Sequence, residues 1–173
     1  MQKYWGYEGT FLYSHLSDLG IPDYEHLLKT GLKGRIQEVK DKLAEIDETI
    51  PVDYLEQKEF LLSVIISLDA VITFAQRYSA LAETMACQEK DPKRKAELEE
   101  ISRTCAWISS NPPRTFLEAL QFFYFIHLVR YMEYSTLGIG IRIDKIFRPF
   151  YENDLKEGRI DREEALEIMQ LLW

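Results

Sequence analysis

Few side chains in this sequence are placed to do chemistry. There are two cysteines, Cys87 and Cys105. Neither has a second Cys or a His at the two-to-four spacing that a zinc or cluster site uses, so no metal site is expected. A cysteine becomes a nucleophile when a helix N-terminus, a cation or a neighbouring base lowers its thiol pKa. Met85-Ala-Cys87-Gln and Arg103-Thr-Cys105-Ala offer neither a clear helix start nor a histidine, and both sit among helix formers. Each reads as a small hydrophobe within a helix. His127 falls on a strongly apolar segment and reads as a core residue bonded to a neighbour rather than a general base. His26 lies on the polar side of its helix and is given no role. Glu133 and Asp144 would need a separation of about 5–9.5 Å and an open cleft to work as a glycosidase pair, and nothing local supplies either. Arg142 and Asp144, two residues apart, point apart on both helix and strand, so direct pairing is not expected. No catalytic residue is assigned.

The elements that must position these groups read as helices. A content of 46% hydrophobic residues over 173 positions is enough for a real core. Nine Phe, ten Tyr and three Trp are an aromatic load that must be covered if the chain is to stay in solution. The formal charge of −8 and the mixing of acids with bases from Lys90 to Glu100 argue against nucleic acid as a partner. No apolar run reaches the roughly 20 residues of a bilayer span, and Met1 to Gly20 lacks the pattern of a signal peptide. A soluble cytoplasmic protein without membrane contacts is the expectation.

Pro22-Asp23 opens a helix to about residue 47, with Leu27, Leu28, Leu32, Ile36, Val39, Leu43 and Ile46 at helical spacing. Gly31 and Gly34 mark a break or kink in its middle. A long helix follows from about Tyr54 to Glu89, with Leu61, Leu62, Ile65, Leu68, Ile72, Ala75 and Tyr78 on its apolar face. Asp91-Pro92 caps a third helix, with Ala96, Leu98, Ile101, Cys105 and Ile108 inward, and Asn111-Pro112-Pro113 stops it. Thr115 and Glu118 have the spacing of a capping box, and Phe116 to Met132 is apolar nearly all round. Leu137-Gly138-Ile139-Gly140-Ile141 is the one expected strand. Helix resumes near Asp144, should kink or break at Pro149 and ends at Gly158; Asp161 caps a last one. No linker divides residues 1–173, so a single helical unit is expected.

The segment Asn111-Pro-Pro-Arg-Thr-Phe-Leu-Glu-Ala-Leu-Gln121, followed by Phe122-Phe-Tyr-Phe-Ile-His-Leu128, closely resembles the pattern PARTFxEALQ-x-FWFxHL of glycyl radical enzymes of the pyruvate formate-lyase type. The likeness continues through Arg142-Ile-Asp144, Pro149-Phe-Tyr-Glu-Asn-Asp-Leu155, Glu157-Gly-Arg159 and Arg162-Glu-Glu-Ala165. Upstream it includes Ile21-Pro-Asp-Tyr-Glu25 and Thr30-Gly-Leu-Lys-Gly34, so it covers essentially the whole chain.

The resemblance implies a mainly α chain forming the helical portion of a much longer α/β barrel, truncated at its C-terminal side. It implies a radical stored on a glycine of a C-terminal motif and passed to a loop cysteine. A separate S-adenosylmethionine iron-sulfur activating enzyme would install that radical. Neither motif occurs here, so the chain binds no cofactor itself and is expected to be inert alone. Its role would be part of the substrate-cavity wall, with the remainder of the parent enzyme, the activating enzyme and a small-molecule substrate as partners in a homodimer. Dehydratase-like relatives carry Gly-His before Pro-Asp-Tyr, where this chain has Asp18-Leu19-Gly20, so a polar contact is lost or moved to His15. Before Arg142 it reads Ser135-Thr-Leu-Gly-Ile-Gly-Ile141, a less polar edge than in polyol dehydratases. His15, Leu19, Ser135, Thr136 and Leu137 are therefore the candidate pocket residues. Pyruvate cleavage would need an arginine near Leu19, and none precedes Lys29. The competing expectation is a stand-alone helical interaction protein derived from such an enzyme.

Overall fold

In the computed structural model, residues 22–46, 51–134 and 141–172 are described. They form six helices in chain order: α1 Tyr24–Ala44, α2 Pro51–Gln88, α3 Pro92–Ile108, α4 Phe116–Tyr134, α5 Ile143–Lys156 and α6 Arg162–Leu172. No strand occurs among the described residues. Positions 137–140 of the expected strand lie outside them, and Ile141 is not in a strand.

Local chemistry accounts for most of the helix starts. Asp23 accepts the His26 backbone N–H at 3.1 Å, and Asp91 accepts that of Lys93 at 3.0 Å ahead of Pro92. Asp161 and Glu164 complete a capping box. Asp161 accepts from the N–H groups of Glu163 and Glu164 at 2.8 Å, while Glu164 reaches back to the Asp161 N–H at 2.9 Å.

The expected kink in α1 falls at Gly31 alone, with φ 68° and ψ 174°, whereas Gly34 stays helical. Only glycine adopts that backbone readily. It also has no Cβ to spare: one built there would meet Pro112 N at 2.6 Å and Asn111 C at 2.7 Å. The expected break at Pro149 does not occur, and α5 runs through it. Lys145, whose carbonyl loses its i+4 donor at the proline, is exposed, so that carbonyl can be hydrated.

α2 and α3 make the most extensive helix pairing, antiparallel across the turn at Glu89–Asp91, and α1 packs on α2. Ala75, Ser79, Ala82 and Ala86 put a stripe of small buried side chains on α2. There the helices come close enough for Ser79 Oγ to donate to the Ser102 carbonyl at 2.9 Å and Ser102 Oγ to donate to the Ser79 carbonyl at 3.0 Å. The core gathers Tyr24, Leu28, Leu32 and Ile36 of α1, Val71, Ile72 and Ala75 of α2, Cys105 and Ile108 of α3, and Phe116, Leu120, Phe122, Phe123 and Phe125 of α4. Full burial of one such side chain contributes about 1.5–3 kcal/mol.

Two expectations about the long helices need correcting. On α2, Leu62 and Tyr78 of the expected inward face are exposed, as are Leu55, Phe60 and Ile66. On α3, Ala96 and Ile101 face outward and Thr104 is buried instead. The expectation that no segment could span a bilayer also fails by length and composition: α2 is long and apolar enough, and only 17% of its most apolar stretch is buried. Ser63, Ser67 and Thr73 explain the misreading. They interrupt the apolar run, yet their hydroxyls donate back to the carbonyls of Phe60, Ser63 and Asp69, which spares the helix most of their polarity.

Candidate functional site

Among the described residues, the segment 111–118 that links α3 to α4 is densely bonded. Asn111 folds back on α3, its backbone N–H and Nδ2 both donating to the Trp107 carbonyl at 3.0 and 3.1 Å. Trp107 Nε1 donates to the Pro112 carbonyl at 2.9 Å, and the Arg114 guanidinium lies 3.7 Å from the Trp107 ring centre. Thr115 Oγ1 accepts the Glu118 N–H at 3.2 Å, as the capping-box reading requires. The reciprocal bond differs. Glu118, only 6% exposed, accepts the Arg114 N–H at 2.7 Å and its guanidinium at 2.6 and 3.2 Å. Those charge-assisted bonds lift the Arg114 pKa above its ordinary value and compensate the burial of the carboxylate.

The first N–H of α4 is satisfied from far along the chain. Phe116 donates to Asp154 Oδ2 at 2.7 Å, and Asp154, 1% exposed, is paired through Oδ1 with Arg159 at 2.7 Å. Arg159 also pairs with Glu157. This polar spine fixes the start of α4 and thereby the register of its aromatic face.

That face is the second feature. Phe125 meets Phe74 and Tyr78 of α2 edge to face at 5.7 and 5.4 Å, while Phe123 meets Tyr24 of α1 at 4.8 Å and Phe147 of α5 at 5.5 Å. Phe116 meets Tyr151 at 5.6 Å. Between α5 and α6 lies an open groove of about 550 Å³ floored by Phe116, Phe147, Tyr151, Ala165, Leu166 and Met169. On its charged rim, which also includes Arg162, Arg148 pairs with Glu152 at 2.6 Å, and Asp144 with Arg142 at 2.6 Å. The last pair corrects the expectation that Arg142 and Asp144 point apart. At the non-helical residue that opens α5, the guanidinium reaches forward and engages both carboxylate oxygens, which holds the Asp144 carboxyl down at about 2. The groove offers apolar surface and no nucleophile.

The five candidate pocket residues, His15, Leu19, Ser135, Thr136 and Leu137, lie outside the described residues. The helices next to them are in contact, however. Leu19 precedes α1 and Ser135 follows α4, and these two helices meet at Tyr24 and Phe123. His26, given no role from sequence, bonds Glu38 through Nε2 at 2.8 Å, folding across the Gly31 break. That bond, with a second from Arg35, holds the Glu38 carboxyl below its usual range. Cys105 is 1% exposed and its thiol is pushed up to about 11 by burial, so it is not an activated nucleophile. Cys87 is exposed.

Sequence reasoning missed Tyr24. Its phenol is buried without a hydrogen-bond partner, as is His127 Nδ1. The signal was present: Tyr24, Leu28 and Leu32 share one helical face, and a tyrosine on an inward face has a hydroxyl that needs a partner.

Residues 18–173 match the pyruvate formate lyase-like family. The chain belongs to that family. It is 41% identical over 155 residues to the isethionate sulfite-lyase of Oleidesulfovibrio alaskensis, covering 88% of this chain but 19% of that enzyme. A solved structure concerned with 1,2-propanediol dehydration in Roseburia inulinivorans superposes with a TM-score of 0.85 at 39% identity, over 90% of this chain and 18% of that one. A glycyl radical enzyme from Archaeoglobus fulgidus superposes with a TM-score of 0.79 at 35% identity, over 87% of this chain and 19% of that one. The chain thus spans about a fifth of the length of its relatives, and the helical architecture is shared with that part of them. The described glycines, Gly31, Gly34 and Gly158, lie in a wedged break, a helix and a turn.

Proposed function

We propose that this chain is the helical portion of a larger glycyl radical lyase or dehydratase, that it supplies part of the wall of the substrate cavity, and that it is inert alone. The observation that carries the reading is apolar surface left open in a chain one-fifth as long as its relatives. Phe60 is 66% exposed, Ile66 70% and Leu171 81%, and the groove between α5 and α6 stands open. Surface of this kind on a soluble protein marks a face that something else covers. The remainder of the parent polypeptide, including its barrel strands, is the occupant proposed, rather than a bilayer. Asp69 sits midway along the most apolar stretch of α2 and is exposed, a costly position in lipid.

On this reading the active unit is a cytoplasmic homodimer. Its radical is generated on a distant glycine by an S-adenosylmethionine iron-sulfur activating enzyme, and His15, Leu19 and Ser135 to Leu137 line the pocket edge. The aromatic wall of α4 excludes water from carbon-centred radicals. A lyase or dehydratase acting on a small, less polar substrate than glycerol fits better than pyruvate cleavage or acyl transfer.

The test is anaerobic reconstitution of this chain with the remaining parent polypeptide and an activating enzyme. A stable complex with a glycyl radical signal in electron paramagnetic resonance and substrate turnover is expected, with neither signal nor turnover when the chain is left out. A chain that stays monomeric beside the rest of the enzyme would overturn the reading in favour of a stand-alone helical interaction protein.

A further inference from the structure

The two unpartnered buried atoms, Tyr24 Oη and His127 Nδ1, belong to one file of side chains. Phe123 touches the Tyr24 ring at 4.8 Å and stacks on the His127 ring at 5.9 Å and 9°, one helical turn further along α4. Arg130 comes three residues after His127, on the same side of the helix, and its charge is felt at the Tyr24 phenol. Tyr24 is 2% exposed, so bulk water does not satisfy it. Arg130 makes no ion pair among the described residues.

Leaving a buried polar group unbonded costs about 1–3 kcal/mol. Among the described residues no other buried side-chain nitrogen or oxygen is left so, and Ser79, Ser109, Glu118 and Asp154 are buried and bonded. An incomplete site is the better account of two such atoms beside a cation that has no ion pair among the described residues.

We propose that Tyr24, His127 and Arg130 form a receptor for an oxyanion, a carboxylate or sulfonate group. The chemistry of the three side chains selects that class. The guanidinium only donates. Burial pushes the Tyr24 phenol up to about 12, Arg130 opposing, so near neutral pH it keeps its proton and donates too. His127 donates in the tautomer that carries hydrogen on Nδ1. Donors along one file of side chains, beside a positive charge, suit an oxygen-bearing anion, whereas a cation or an apolar guest would leave them unbonded. His127 and Arg130 are only half-buried, so the approach is along their side of α4.

The anion has two possible sources, an acidic side chain in the rest of the parent or the small-molecule substrate. The choice between them rests on the function proposed above; the site itself does not. With histidine-selective ¹⁵N labelling, the His127 ring shifts are followed while the 173-residue chain is titrated with acetate, then methanesulfonate, against chloride at equal ionic strength. A saturable shift absent with chloride is expected, weakened roughly tenfold or more by Arg130→Gln and reduced by Tyr24→Phe. A shift equal to that with chloride, or one that neither substitution changes, overturns the site and leaves a trapped neutral water as the partner of both atoms. In the assembled parent, a His127 signal that no longer responds to added anions assigns the site to a protein carboxylate, and one that still responds assigns it to substrate. Failure of assembly would refute the proposed function and leave the anion titration of this chain standing.

Discussion

The junction between α3 and α4 and the outer faces of α2 and α6 follow opposite rules. At the junction, buried polar groups are matched: Glu118 to Arg114, Asp154 to Phe116 and Arg159, Trp107 to Pro112. On the outer faces, large apolar side chains such as Phe60, Ile66, Leu166 and Leu171 lie open. The contrast separates what this stretch of the family needs for its own fold from what it offers to the rest of an enzyme. The residues of the family-like motif from Asn111 to Gln121 fall almost wholly on the first side. They bind chain to chain.

Gly31→Ala attacks the junction hardest. A methyl group would meet the Pro112 and Asn111 backbone at 2.6 and 2.7 Å in a left-handed conformation, and a backbone neighbour cannot rotate away. A loss of about 3 kcal/mol or more is expected in urea unfolding. Gly34→Ala is the control, since a Cβ there meets only the Thr30 side chain, at 3.1 Å. Equal losses at both glycines would sink the claim that the Asn111–Pro112 contact decides the break.

Asp154→Ala should come next, at about 2–3 kcal/mol, because it leaves the Phe116 N–H buried without an acceptor and Arg159 without its main partner. Circular dichroism and denaturant midpoints read it directly.

Alkaline pH probes the same interior more gently. Burial raises the Cys105 thiol to about 11 and the Tyr24 phenol to about 12. Between the unfolded values and these, the folded state holds more protons than the unfolded one. The stability contributed is therefore complete below about pH 9 and is lost as pH rises through the folded values. A urea midpoint lower at about pH 10.5 than at about pH 8 is expected, and Cys105→Ala should flatten part of that slope. In the same preparation a thiol reagent should label Cys87 in the native state and Cys105 only on unfolding.

The smallest effect on stability belongs to the open faces. Phe60→Lys with Ile66→Lys should change the unfolding free energy by no more than about 0.5 kcal/mol each, while abolishing assembly with the remainder of the parent. A large loss of stability in the isolated chain would show that these side chains serve this fold after all.

What could be read from the sequence was what its neighbours in the chain determine. The caps at Asp23, Asp91 and Asp161 lie within three residues of the N–H groups they bind, and all were legible. Thr115 and Glu118 were half legible: the spacing gave the cap, but not that the Glu118 carboxylate would be drawn one residue further back to Arg114. Gly31 and Gly34 were indistinguishable until a loop eighty residues later settled on one of them. The same holds for Ser79 with Ser102 and for Tyr24 with Phe123, pairings fixed by packing rather than by local pattern. The apolar faces of α2 and α3 were overread because helical spacing says which side chains share a face and not whether a neighbour reaches it. The family was legible from its motif. The pocket residues were read from likeness alone, and the Tyr24, His127 and Arg130 file needed coordinates.

The bond from the Phe116 N–H to Asp154 also sets an order of events during synthesis. The family-like segment leaves the ribosome 38 residues before the carboxylate that caps its helix. At about 5–20 residues per second, that is a wait of roughly 2–8 s. Throughout that interval α4, apolar nearly all round, has its core partners α1 to α3 but not the acceptor for its first N–H. The nascent aromatic helix is therefore held in register by hydrophobic contacts and the local bonds of Thr115 and Arg114 with Glu118, and a pause in translation before Asp154 would prolong the period in which it can be captured by the wrong neighbour.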